Sequence, residues 1–170
     1  MVAELPPNEN MVIEDREIPG PEDAPSVGVR IYRPKAVSGV LPGIFFIHGV
    51  GMIMGSVEGE NLKATELCEA IQAVVVSVEY RLAPEQPHLA PVQDCYAALK
   101  WMAKNADDLA FDPNRLAVVG GSAGGGLTIA TTMMARDKGF PRICFQMPLY
   151  PMIDDRHETP SSYEIMDVGI

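Results

Sequence analysis

The chain has 170 residues, a length that fits one domain, and 47% of them are hydrophobic, which predicts a packed core and argues against global disorder. Twenty-three acidic residues outnumber 13 basic ones, and the formal charge of −10 disfavours nucleic acid and anionic membranes as partners. No apolar run approaches the length of about 20 residues that a membrane-spanning helix needs. The N-terminus also lacks the basic region before an apolar core that is typical of a signal peptide. We therefore expect a cytoplasmic protein without a membrane span.

The N-terminal region predicts two strands, at residues 12–18 and 27–32, because apolar and polar side chains alternate there. Pro19-Gly20-Pro21 lies between them and is typical of a turn. The two strands are therefore expected to pair antiparallel at one edge of a sheet.

From residue 43 onward, continuous apolar runs alternate with segments whose apolar residues recur at helical spacing. A continuous apolar run is typical of a strand that is buried on both faces of a parallel sheet. The pattern predicts an α/β fold with a mostly parallel sheet. The expected strands lie at 43–47, 73–78, 115–119 and 143–147.

Gly120-Gly121-Ser122-Ala123-Gly124 follows one of these strands and precedes a helical pattern. This G-x-S-x-G motif predicts a sharp strand-to-helix turn that exposes the Ser122 hydroxyl as a nucleophile. Such a turn holds serine near a positive φ, and Gly120 and Gly124 leave room for it because they lack a Cβ. The alternative is a glycine-rich helix start that cradles a phosphate, but no G-x-x-x-x-G-K-[ST] match or following basic residue supports it.

Several further stretches occur in a distinctive order. They are His48-Gly49-Val50-Gly51, the segment Val76 to Glu85 with Tyr80-Arg81-Leu82-Ala83-Pro84, the helix start Asp94 to Trp101, Asp112-Pro113-Asn114-Arg115, and Tyr150-Pro151-Met152. Together with the G-x-S-x-G motif, they resemble the hormone-sensitive-lipase-like branch of the α/β-hydrolases. The resemblance covers roughly residues 10 to 165 and implies the sheet order 1-2-4-3-5-6, with one of the first two strands antiparallel to the rest.

The resemblance implies hydrolysis of short- to medium-chain carboxylic esters through an acyl-serine intermediate, without a cofactor or metal. Ser122 would be the catalytic nucleophile. An oxyanion hole would be formed by the backbone N–H groups of Ala123, Val50 and Gly51, with Gly49 beside them. His48 would orient that loop and would not transfer protons.

Two of the departures from the family pattern bear directly on catalysis. Val50 stands where the family usually has glycine, and a β-branched residue is strained if that position needs a positive φ. The family's triad acid and histidine follow two further strands. His157 matches the loop after the sixth strand, and neither it nor His88 is expected to be the base.

We expect residues 1–170 to be one incomplete α/β-hydrolase domain that lacks its last two strands and most of its cap. Residues 1–25 are a candidate remnant of the cap and its linker.

Three functions remain open from the sequence. The chain is part of a serine ester hydrolase, an inactive small-molecule-binding module of the same fold, or a truncated product without activity. All three retain the Ser122 motif, so the motif does not discriminate between them. The acyl group, the alcohol and the oligomeric state are not predicted.

Overall fold

A computed structural model describes residues 9–22, 24–37, 39–86, 88–156 and 158–164. Its first two strands, β1 (Met11–Ile18) and β2 (Val27–Pro34), pair antiparallel over their whole length. This confirms the predicted edge pair. Residues 11–18 of the stretch that was considered a cap remnant therefore lie in the sheet.

Four further strands complete the sheet, and they run parallel to one another: β3 (Leu41–Ile47), β4 (Val74–Glu79), β5 (Phe111–Gly121) and β6 (Phe145–Leu149). The strand order is β1-β2-β4-β3-β5-β6, and β2 is antiparallel to both of its neighbours. The order and the single antiparallel strand are as the resemblance implied.

The strands differ from the sequence prediction by one to four residues at their ends, and the differences at β6 and β5 have a visible structural cause. The last strand was expected at 143–147 but begins at Phe145, because its register with β5 starts at Ala117 opposite Phe145. The fifth strand was expected at 115–119 but begins at Phe111. The stretch Asp112-Pro113-Asn114-Arg115 lies inside β5 as an irregularity, since Leu41 pairs with Phe111 but Gly43 pairs with Leu116. The Asn114 N–H donates to the Asp112 carboxylate at 2.9 Å, which is an Asx turn.

Helices cover both faces of the sheet. On one face, α1 (Asn61–Ile71) packs its buried Ala64 and Cys68 against alternate residues of the central strands. On the other face lie α2 (Ala90–Lys104), the short α3 (Ala106–Leu109) and α4 (Ala123–Asp137). The sequence pattern predicted α1, α2 and α4. It missed α3 and α5 (Pro160–Glu164), which are too short to show a helical period.

The core lies between the sheet and these helices. Phe45, Val76 and Val118 from the three central strands are fully buried, as continuous apolar runs predict. Cys68 and Cys95 are buried free thiols, but Cys144 is exposed because it precedes β6 at the rim of the sheet. No helix in the described part of the chain combines the length and apolar character that crossing a membrane requires.

Strand β6 lies at the edge of the described sheet, and its α1-side face is poorly covered. Phe145, Met147 and Leu149 share this face because side chains alternate along a strand. Met147 packs at the margin of the α1-side core, whereas Phe145 and Leu149 remain 57% and 41% exposed. The described structure therefore presents an apolar strip on β6.

Candidate active site

Ser122 lies at a sharp turn between the end of β5 and the start of α4. Its backbone has φ 56° and ψ −119°, a conformation that residues other than glycine rarely adopt. Such strain persists only where the surrounding structure holds it in place. The Ser122 N–H donates to the Leu149 carbonyl at 3.0 Å, and the Ser122 carbonyl accepts from the Met152 N–H at 3.0 Å. The end of β6 therefore holds the turn.

The glycines on either side of Ser122 permit a close backbone approach. A Cβ at Gly120 would collide with the Gly124 carbonyl and would lie 2.8 Å from Thr128 Oγ1. A Cβ at Gly124 would collide with the backbone carbonyls of Ile47 and His48. The tight turn thus depends on both glycines, and Gly124 lets the start of α4 contact the end of β3.

The His48–Gly51 loop adjoins the serine turn because parallel strands bring their carboxyl ends to one edge of the sheet. Ile47 at the end of β3 pairs with Gly120 at the end of β5. A Cβ placed on Gly49 would lie 2.8 Å from the Gly121 carbonyl oxygen and 3.6 Å from Ser122 Cβ. The structure therefore brings together the residues selected from the sequence: His48, Gly49, Val50, Gly51, Gly120, Ser122, Ala123 and Gly124.

Val50 occupies a positive-φ position, as its place in the family's glycine-rich loop led us to consider. Its φ is 72°, and the neighbouring Gly51 has φ 70°. Glycine adopts this region freely, whereas a β-branched residue does so with strain. Val50 is 38% exposed, so its side chain is not part of the core.

His48 is fully buried beneath this loop, and its ring is not available to act as a general base. Its ring stacks on Tyr80 with centroids 4.1 Å apart, and its Nδ1 lies 3.2 Å from the Gly49 carbonyl oxygen. Because that oxygen can only accept, this contact requires the proton on Nδ1. Burial lowers the pKa of His48, which favours the neutral ring, although Glu79 lies 3.9 Å from Nε2.

The Ser122 hydroxyl has no hydrogen-bonded base among the described side chains. No described side chain donates to or accepts from Ser122 Oγ, and Ser122 makes no side-chain cap to α4. His88 follows β4 in an exposed loop, and His157 lies outside the described residues. The site therefore contains the serine turn and a loop of backbone donors, without a described general base.

Two tyrosines near the site were given no role by the sequence reasoning. Tyr80 belongs to the Val76–Glu85 segment that carried the resemblance, but the motif alone does not show which groups its hydroxyl contacts. That hydroxyl donates to the His48 carbonyl at 2.9 Å. Tyr150 lies over Gly121, where an added Cβ would be 3.0 Å from the Tyr150 hydroxyl oxygen. No local pattern indicates the second contact, because it depends on how β6 ends.

Comparisons with known proteins agree with this architecture. A family model for the alpha/beta hydrolase fold matches residues 44–168. Carboxylesterase NlhH of Mycobacterium tuberculosis is 39% identical over 158 residues, which make up 93% of this chain and 49% of that protein. The chain thus spans about half the length of this curated relative.

Solved structures give the same result. A bacterial heroin esterase superposes with a TM-score of 0.93 at 38% identity, over 98% of this chain and 52% of that one. A hyperthermophilic esterase from the archaeon Pyrobaculum calidifontis gives a TM-score of 0.78 at 43% identity, over 83% of this chain and 44% of that one. The chain belongs to the α/β-hydrolase fold family, in its hormone-sensitive-lipase-like branch.

Proposed function

We propose that this chain carries the nucleophile and oxyanion-hole half of a serine carboxylic ester hydrolase that acts on short- to medium-chain esters. The observation that carries the proposal is the strained Ser122 turn, with φ 56°, packed against the His48–Gly51 loop. Several of the relatives that match are named carboxylesterases or esterases, which supports the same class of chemistry.

In the proposed mechanism, the Ser122 hydroxyl attacks the ester carbonyl carbon. The carbonyl oxygen becomes an oxyanion, and when it re-forms the carbonyl the ester C–O bond breaks and the alcohol leaves with the proton that the serine lost. The acyl-serine ester that remains is hydrolysed by water to the carboxylic acid and free serine. The oxyanion is stabilised by backbone N–H groups of Ala123, Val50 and Gly51, with Gly49 beside them. Ala123 is the first residue of α4, so the partial positive charge of that helix end adds to the stabilisation.

A small-molecule-binding module without turnover is the second candidate. The observation that favours it is the lack of a hydrogen-bonded base at Ser122 Oγ among the described residues. A serine hydroxyl without an adjacent base is a weak nucleophile. In this alternative, the serine turn and the His48–Gly51 loop bind an ester or a similar carbonyl compound and do not cleave it.

Covalent labelling of the 170-residue chain with a fluorophosphonate tests the proposal. The reagent forms a serine–phosphorus bond and releases fluoride. We expect intact-mass spectrometry to show one slow adduct, and peptide mapping to assign it to Ser122. Ser122→Ala should abolish the adduct, whereas Ser161→Ala, which removes an exposed serine of α5, should retain it. A folded chain without an adduct at Ser122 would contradict the nucleophile and favour the binding module.

A further inference from the structure

Tyr80 lies directly after β4 and is buried beneath the His48–Gly51 loop. Only 2% of its surface is exposed, and its ring stacks on the His48 ring with an angle of 13° between the planes. Its hydroxyl oxygen lies 2.9 Å from the His48 carbonyl oxygen and 3.3 Å from the Gly49 carbonyl oxygen. A tyrosine hydroxyl has one proton, so the two carbonyls share a bifurcated hydrogen bond in which His48 is the nearer acceptor.

These two carbonyls belong to the peptide groups that carry the Gly49 and Val50 N–H groups. Neither peptide is cis. In a trans peptide group, the carbonyl and the N–H point in roughly opposite directions. Because both carbonyls point toward the Tyr80 hydroxyl, the Gly49 and Val50 N–H groups are directed away from Tyr80. The backbone of Gly49 abuts the Ser122 turn, so the hydroxyl of Tyr80 sets the direction of donors beside the nucleophile.

The segment that carries Tyr80 is itself firmly held. Asp94 on α2 is fully buried, and its carboxylate accepts the Arg81 backbone N–H at 3.0 Å. The Arg81 guanidinium binds the two Asp94 oxygens at 2.8 Å each. Two residues later, the Ala83 N–H donates to the Met52 carbonyl at 2.9 Å. The loop is thus tied at two points to a segment that α2 anchors, and bidentate pairs of this kind restrict geometry strongly.

We propose that Tyr80 is a positioning residue whose hydroxyl fixes the two peptide groups on either side of Gly49, so that the Val50 N–H faces the oxyanion that forms next to Ser122. This inference rests on the function proposed above. Removing the hydroxyl keeps the ring and its stacking but takes a hydrogen bond from both carbonyls, which leaves the Gly49 carbonyl, among the described residues, with only the His48 Nδ1 contact at 3.2 Å. Because a donor displaced by about 1 Å can slow a reaction about 100-fold, we expect Tyr80→Phe to slow attack by Ser122 about 10- to 100-fold.

The test measures fluorophosphonate labelling of the 170-residue chain over a range of reagent concentrations. Tyr80→Phe should lower the maximal rate of labelling about 10- to 100-fold. The reagent concentration that gives half of the maximal rate should stay within about twofold of the wild-type value, because oxyanion donors stabilise the transition state more than they contribute to binding. Tyr96→Phe is the matched control. Tyr96 is also largely buried, and its hydroxyl donates to a backbone carbonyl, that of Phe140 at 2.8 Å. Tyr96→Phe should therefore change neither quantity beyond about twofold.

The outcomes separate this proposal from the proposed function. If the wild-type chain labels at Ser122 and Tyr80→Phe has the same maximal rate, the positioning role is overturned and the nucleophile stands. If Tyr80→Phe and Tyr96→Phe lower the maximal labelling rate equally, the effect is a general loss of stability, and the positioning role of Tyr80 is overturned as well. Wild-type chain that gives no adduct at Ser122 overturns the proposed function, and this inference falls with it.

A second measurement keeps the proposal testable if Tyr80→Phe does not fold. Amide hydrogen exchange of wild-type protein is compared before and after phosphonylation of Ser122. The peptide that spans residues 46–54 should exchange more slowly in the adduct, because its N–H groups then donate to the phosphonate oxygen. Unchanged exchange in that peptide would show that the N–H groups do not face the nucleophile and would overturn the inference.

Discussion

At the scale of the residue, Val50 is the point where this chain departs most from the glycine expected in its loop. The φ of 72° places a β-branched side chain in a region that costs about 1–3 kcal/mol to hold. Strain of this size persists only where the neighbours enforce it, and Val50 is itself one of the proposed oxyanion donors, next to Gly51. Its effect should therefore reach both the stability and the geometry of the loop.

Val50→Gly should relieve this strain and speed the attack of Ser122. We expect the maximal rate of fluorophosphonate labelling to rise, while the reagent concentration at half of that rate stays nearly constant. For a form of the protein that turns over a short-chain ester, kcat should rise in the same way and KM should stay nearly constant. Replacing or displacing one oxyanion donor changes kcat about 10²- to 10³-fold, which sets the upper bound. A slower reaction would show that valine fits the loop without strain.

Gln72→Gly provides the control for Val50→Gly. Gln72 ends α1 with φ 55°, far from the loop in sequence, and glycine at such a position also relieves left-handed strain. Both substitutions change the stability of the fold at a positive-φ residue, but only Val50→Gly should change the labelling rate. An equal change in both variants would attribute the effect to stability alone.

At the scale of the element, the sequence predicts the strands and long helices better than their junctions. Phe45, Val76 and Val118 lie in continuous apolar runs that mark β3, β4 and β5, because a strand buried on both faces needs apolar side chains throughout. The Asx turn within β5 and the two-residue shift of β6 depend on register with neighbouring strands, which no local pattern encodes. The same holds for the site. The G-x-S-x-G motif identifies Ser122, whereas the contact of Tyr80 with two carbonyls requires the assembled sheet.

The two edges of the described sheet differ in their protection against pairing with another chain. Charged side chains occupy β1 in succession, from Glu14 to Glu17, and such residues oppose edge-to-edge association. Strand β6 carries no charged residue, and only Pro148, which lacks an N–H, interrupts its row of backbone groups. The exposed Phe145 and Leu149 add an apolar face to this edge.

We therefore expect the 170-residue chain to self-associate through β6. Phe145→Lys should shift it toward monomer and lower the binding of an apolar dye, because a charge at an edge strand resists pairing. Light scattering coupled to size-exclusion chromatography measures the oligomeric state. Val12→Lys replaces a comparably exposed apolar residue on β1, 47% against 57%, and should leave the association unchanged. A wild-type chain that is monomeric and melts cooperatively with little dye binding would contradict this expectation.

At the scale of the whole molecule, the chain has a sharp serine turn between β5 and α4 and spans about half the length of its relatives. Positioned proton transfer contributes about 10²- to 10⁴-fold to a rate, and no described side chain supplies it to Ser122. The backbone donors near Ala123 can act without a base, since serine hydrolases that lose triad members retain about 10³- to 10⁴-fold over water. The chain is thus expected to react once with an activated phosphonate far more readily than it turns over an ester.

Hydrolysis of p-nitrophenyl acetate by residues 1–170 should accordingly be slow, at or below that residual level. Ser122→Ala should remove whatever turnover occurs above the buffer rate, because the remaining acceleration acts on attack by the Ser122 hydroxyl. His157→Ala and His88→Gln should both leave it unchanged, since neither histidine is expected to be the base. Initial rates at several protein concentrations separate true turnover from a single acylation burst. Brisk hydrolysis that His157→Ala abolishes would show that a histidine in the loop after β6 serves as the general base.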